Sequence, residues 1–210
     1  MLRIAPTNRS GSTNQNIKKD FSHDQLAAIG AVVVAWNEVE FMLDCALYSS
    51  EKLPAECLLD DLPKRALDQR VKDAKKAVRH WALPNDFINT LETSIAAFVT
   101  VKDIRNAVAH SRIYDSTTAI GNRITRKGTI EEVLLTTEAL DWLYKNLVIL
   151  KVELRAMIAI FDLVRNTEIA EQQGLVSTGQ IDPIPEATTW LGEIKTCQAN
   201  RHALGSAPSF

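Results

Sequence analysis

Cysteine is scarce: Cys45, Cys57 and Cys197 are the only three in 210 residues. They stand apart, without paired spacing or neighbouring histidines, so neither a zinc site nor a disulfide framework is indicated, and a reducing cytoplasm is the compartment that fits. Glycine is also sparse, at eight residues, and no glycine-rich phosphate loop or HExxH pair occurs. The signatures of nucleotide-dependent and metal-dependent small-molecule enzymes are therefore missing, and no cofactor is expected. Neither charge sign dominates, since the net charge is -2 and the pI is near 6.1. That excludes a polyanion binder acting through its overall field, and any nucleic-acid contact has to come from a local patch. Long apolar runs are absent as well. The run 28–36 is too short to span a bilayer, and the segment 147–164 is broken by Lys151, Glu153, Arg155 and Asp162. The first twenty residues lack the apolar region of a signal peptide. A membrane partner is not expected.

What is present is an ordinary globular composition, 46% hydrophobic and 24% charged, in a chain long enough to bury one core and carry tails. No internal repeat or low-complexity tract occurs. Residues 1–21 are rich in Ser, Thr, Asn and Lys without periodicity and read as a disordered lead-in. Order should begin at Ser22, where Ser22-His23-Asp24-Gln25 resembles a capping box. Apolar residues then recur at helical spacing from Leu26 through Trp36 and Leu43 to Leu47, predicting a first helix to about Ser49. A short helical turn at 54–60 should follow.

Pro63 suits the first position of a second helix, about 63–82. Its apolar face carries Leu67, Val71, Ala74, Val78 and Trp81. The opposite face holds Lys64, Arg65, Arg70, Lys72, Lys75, Lys76 and Arg79 against only Asp68 and Asp73. Such a face is either simply solvated or an electrostatic footprint for a phosphate backbone. After Pro84 a third long helix is expected over 86–110. Short strand-like pieces at 112–114, 119–125 and 133–135, separated by turn chemistry, predict a small β-hairpin that carries Arg123 and Arg126 close in sequence to His110. Thr136 or Thr137 should cap the longest helix, about 138–166. The remainder, 167–210, contains Pro183, Pro185 and Pro208 and reads as an extended tail that Trp190 and Leu191 could pin to the body. The expected fold is all-α: an antiparallel bundle of four to five helices at 22–166, with a small β-hairpin inserted before the last long helix.

Chemistry concentrates at the end of the third helix. Arg105, Asn106 and His110 place a guanidinium, a carboxamide and an imidazole within about a turn and a half of one another. Arginine supplies a fork of donors for phosphate oxygens, and histidine changes charge near neutral pH. On an ideal helix, Val101, Ile104 and Val108 form one apolar stripe with Arg105 at its flank. Asn106 and His110, four residues apart, then lie on the opposite face with Ile95 and Val99. That second, half-apolar face suits a partner surface, so a homodimer is expected with Ile95, Val99 and Asn106 at or beside the subunit contact.

A first helix carrying Trp36-Asn37-Glu38-Val39-Glu40, then a late helix ending in Arg105-Asn106-x-x-x-His110, a hairpin and a long final helix together resemble the HEPN (higher eukaryotes and prokaryotes nucleotide-binding) superfamily over residues 22–166. The resemblance implies a metal-independent endoribonuclease in a defence, stress or toxin–antitoxin context, with two protomers pairing their motif helices into a composite site. It implies that His110 moves a proton to or from the ribose or the leaving oxygen, that Arg105 stabilises charge on the phosphate, and that Asn106 orients one of them. Cleavage would leave a 2′,3′-cyclic phosphate. Lys72, Lys75, Lys76, Arg79, Arg123 and Arg126 are the candidate RNA contacts. An antitoxin or nucleotidyltransferase-type protein is the further partner. Glu40 either corresponds to an acidic residue that pairs with the motif arginine in several family members or is a plain surface carboxylate. Trp36 falls on the apolar stripe and reads as core. The superfamily also includes inactive members, so a non-catalytic helical dimerisation or interaction module is the alternative.

Overall fold

In the computed structural model, the described residues are 22–50, 59–81, 83–110, 112–115, 120–124, 130–174 and 184–208. The lead-in 1–21, residues 54–58 of the turn expected at 54–60, and Arg126 lie outside them. Five α-helices and a small sheet are present: α1 (His23–Ser49), α2 (Leu67–His80), α3 (Asn85–His110), β1 (Arg112–Asp115), β2 (Ile120–Ile124), β3 (Ile130–Leu134), α4 (Thr137–Gln172) and α5 (Ile184–Ala203). An all-α bundle with a β-insert before its longest helix is thus the architecture.

The capping box at Ser22 forms as expected. Ser22 Oγ accepts from the Gln25 amide at 3.1 Å, and the Ser22 amide donates to Gln25 Oε1 at 2.9 Å. Those two bonds satisfy backbone donors that the start of a helix leaves open. Gln25 Nε2 also donates to the Leu135 carbonyl at 3.3 Å, fixing the start of α1 beside the start of α4. Farther along, Lys151 meets Glu38 at 2.8 Å, so α1 and α4 run side by side in the same direction. Helix α3 runs antiparallel to α2, joined by Lys102–Asp68 and Arg79–Glu92. Thr136 Oγ1 caps α4 by accepting from the Ala139 amide at 3.1 Å. Beyond the end of α4, Gly174 takes a left-handed φ of 66°, which glycine adopts without a Cβ clash.

Three sequence expectations need correction. The β-insert has three strands in the order β1-β2-β3, both pairs antiparallel, so the expected hairpin is one half of a meander. Pro63 does not open α2. It sits inside a 3₁₀ turn, Leu59–Lys64, and α2 starts at Leu67 after an extended Ala66, because the fixed proline φ suits a 3₁₀ turn as well as an α-helix start. The stretch 167–210 is not an extended tail. Helix α4 continues to Gln172, and 184–203 forms α5, whose Ala187, Leu191 and Ile194 are buried in the main core. Pro185 falls in the first turn of α5, where its missing N–H costs nothing.

The core joins all five helices. Trp36 and Phe98 meet with ring centroids 5.3 Å apart, and Leu43, Leu91, Leu147 and Ile160 are fully shielded around them. A second small cluster, Ala107 with Val133 and Leu135, seats the sheet against the last turns of α3. Although the run 28–36 is short, helix α1 as a whole is long and apolar enough to cross a membrane by length and composition. Its stripe of Trp36, Val39, Leu43 and Leu47 is nevertheless buried in the bundle.

Candidate functional site

Helix α3 turns a different face inward from the one its apolar spacing suggests. Phe87, Leu91, Ser94, Phe98 and Val101 are buried, and Arg105 continues this stripe, four residues beyond Val101 and seven beyond Phe98. Ile104 and Val108 lie half-buried at its edge. Arg105 therefore does not flank the core stripe; it ends it. Its guanidinium carbon stands 5.3 Å from the centre of the Trp36 ring, over the indole face. A cation so placed is attracted by the ring quadrupole, and the planar guanidinium stacks well.

Nη1 of Arg105 donates to Asn106 Oδ1 at 3.2 Å, while its Nε is buried with no hydrogen-bond partner. Arg105 has no carboxylate partner among the described residues. Asn106 is half-buried, and His110, one turn farther, is exposed. Of the three motif residues, Arg105 and Asn106 touch, and His110 is the last residue of α3, two residues ahead of β1. The His110 imidazole has no hydrogen-bond partner among the described residues.

Glu40 does not pair with Arg105. Its Oε2 accepts from Trp36 Nε1 at 2.8 Å, and its Oε1 pairs with Arg70. Arg70 Nη1 donates to both oxygens of Asp44 at 2.8 Å. Arg70 does not belong with the outward basic residues of α2, since only 3% of it is exposed. The sequence holds a signal for this: Arg70 lies four residues before Ala74 and seven before Ala77, both buried. Burial lowers the Arg70 pKa, but hydrogen bonds to Asp44 and Glu40 outweigh it and the group ends above its usual value. Burial lifts the Asp44 carboxyl above the ordinary range, against the opposing pull of Arg70. Asp44 is the polar residue of this cluster that the sequence pattern does not single out.

One residue of the expected subunit contact, Ile95, is not at the surface. Ile95 is fully shielded inside its own protomer and Val99 packs half-buried on the same core, because the buried stripe of α3 is rotated toward them. The Ile95 side chain is therefore not available to a partner, whereas Val99 and Asn106 keep part of their surface exposed.

Lys72, Lys75 and Lys76 are exposed on α2. Arg79 pairs with Glu92 of α3 at 2.5 Å, and Lys75, Arg79, Asn89 and Glu92 line an open groove between the two helices. Arg123 lies on β2 opposite Glu131 in register. Among the described residues no group of three or more His, Cys, Asp or Glu could hold a metal ion. Comparison with protein-family models, curated proteins and solved structures gives no match.

Proposed function

We propose that this chain is a HEPN-type, metal-independent endoribonuclease that works in the cytoplasm, in a defence, stress or toxin–antitoxin setting. The observation that carries the reading is the state of Arg105: a half-buried guanidinium stacked on an indole, bonded to Asn106 and without a carboxylate partner among the described residues, about a turn and a half from an exposed histidine. A partly desolvated cation with no counter-ion favours an incoming anion, and its fork of donors matches phosphate oxygens. In the reaction, the ribose 2′-oxygen attacks phosphorus and loses its proton to a base as the bond to the 5′-oxygen breaks and that oxygen takes a proton. His110 serves one of these transfers, and Arg105 stabilises the charge that builds on the phosphoryl oxygens. One imidazole cannot do both at once, so pairing two α3 ends in a homodimer supplies the second. A nucleotidyltransferase-type or other antitoxin is the partner that would restrain such an enzyme.

The test is incubation of the purified protein with RNA in the presence of EDTA, followed by analysis of the new ends. Fragments carrying a 2′,3′-cyclic phosphate are expected; fragments that need a divalent ion, or that carry a free 3′-hydroxyl, would contradict the mechanism. A second reading, a non-catalytic interaction module, is favoured by one observation: the His110 imidazole has no hydrogen-bond partner among the described residues, so nothing there sets its tautomer as a proton-transfer group usually requires.

A further inference from the structure

Trp36 has a double set of contacts that a purely space-filling residue does not need. On one face it meets Phe98 inside the core, and over the ring stands the guanidinium of Arg105, 5.3 Å from the centre. At its edge, Nε1 donates to Glu40 Oε2 at 2.8 Å. Glu40 is in turn held by Arg70, which also binds both oxygens of Asp44. The plane of the indole is thereby held by a neighbouring ring and by a hydrogen bond at its edge. The same arrangement occupies the Glu40 and Asp44 carboxylates with Arg70, so Arg105 stands on an aromatic face rather than on an acid.

We propose that Trp36 is a positioning residue for Arg105: the indole face sets the plane and height of the guanidinium, with Glu40 locking the ring through its N–H. This rests on the reading of Arg105 as the phosphate-binding group. An aromatic support differs from a carboxylate support in one functional respect. It orients the cation without neutralising it, so the full charge is left for a phosphate. A carboxylate in the same place would order the side chain equally well but would compete with the ligand.

The proposal is tested on the full chain by two readouts. The first is the Nε–Hε resonance of Arg105 by NMR. A proton held over an indole face is shifted upfield, so wild type should show a displaced signal, Trp36→Met should return it to the position of an ordinary arginine, and Trp36→Phe should keep part of the displacement. The second is RNA cleavage in a double-mutant cycle. Trp36→Met should slow cleavage about tenfold in the wild-type background and by less than about twofold in an Arg105→Ala background, with Trp36→Phe recovering most of the loss. An undisplaced Arg105 signal in wild type overturns the proposal, as does a loss of the same size in both backgrounds, which marks Trp36 as core alone. The wild-type resonance needs no substitution, so it decides the matter even if Trp36→Met fails to fold. A displaced signal in a wild-type protein that cleaves no RNA would keep the positioning role and reject the ribonuclease reading.

Discussion

Arg105 and Arg70 sit on neighbouring helices and are both drawn inward, but they meet different partners. Arg70 is closed off by two carboxylates, whereas Arg105 rests on an aromatic face with its charge uncompensated by any described acid. Legibility at this scale depends on which residues a stripe admits. A reading that assigns only apolar residues to the inner face of α3 selects Val101, Ile104 and Val108, and so misses that Arg105 lies at the end of the Phe87–Leu91–Phe98 stripe. A long polar side chain can end such a stripe when its stem packs and its head finds a ring. Glu153 is another charged group taken inside, fully shielded, where Arg201 of α5 meets it at 2.5 Å. Burial raises its pKa above the usual 4.5, against the lowering pull of Arg201 and Ser94. A carboxyl raised on folding contributes stability in full below its unfolded pKa and loses it as pH rises through the folded value. In urea titrations, the stability of wild type relative to E153Q should therefore fall as pH rises from about 4.5 toward neutrality. Parallel pH profiles for the two proteins would contradict this.

At the scale of elements, α5 shows where composition misleads. Three prolines in the last third of the chain argue for extended structure, but Pro185 occupies a first-turn position, and Ala187, Leu191 and Ile194 follow at helical spacing. The apolar residues that close the bundle on this side come from a segment whose turn chemistry outweighs its short periodic stripe. If α5 is integral, Ile194→Ala should destabilise the whole protein by about 2–5 kcal/mol, with one cooperative transition, because it opens a cavity at a fully shielded site. A variant that unfolds like wild type, or in which α5 alone melts first, would make it an appendage. By contrast, α1, α3 and α4 are legible from the sequence nearly to the residue at their starts. Their stripes are long, and α1 and α4 each begin at a side-chain cap, Ser22 and Thr136, which fixes the start where periodicity alone would leave it open.

For the whole molecule, a near-neutral chain carries an asymmetric surface, with exposed Lys72, Lys75 and Lys76 on α2. If that face is an RNA footprint, reversing these three lysines to glutamate should weaken RNA binding and flatten its dependence on salt, since fewer neutralised phosphates release fewer counterions. An unchanged salt slope returns the face to plain solvation. The bundle as a whole does one thing for the motif: it buries the stem of Arg105 and leaves His110 at the exposed end of α3, so the histidine can be removed without disturbing the core. The most direct measurement of the central claim is the rate of RNA cleavage in EDTA by wild type and by His110→Ala, with folding of both checked by thermal melting. Equal melting and a rate lower by about 10² to 10⁴ in the variant are expected. Undiminished cleavage by folded His110→Ala, or no cleavage by wild type, would contradict it.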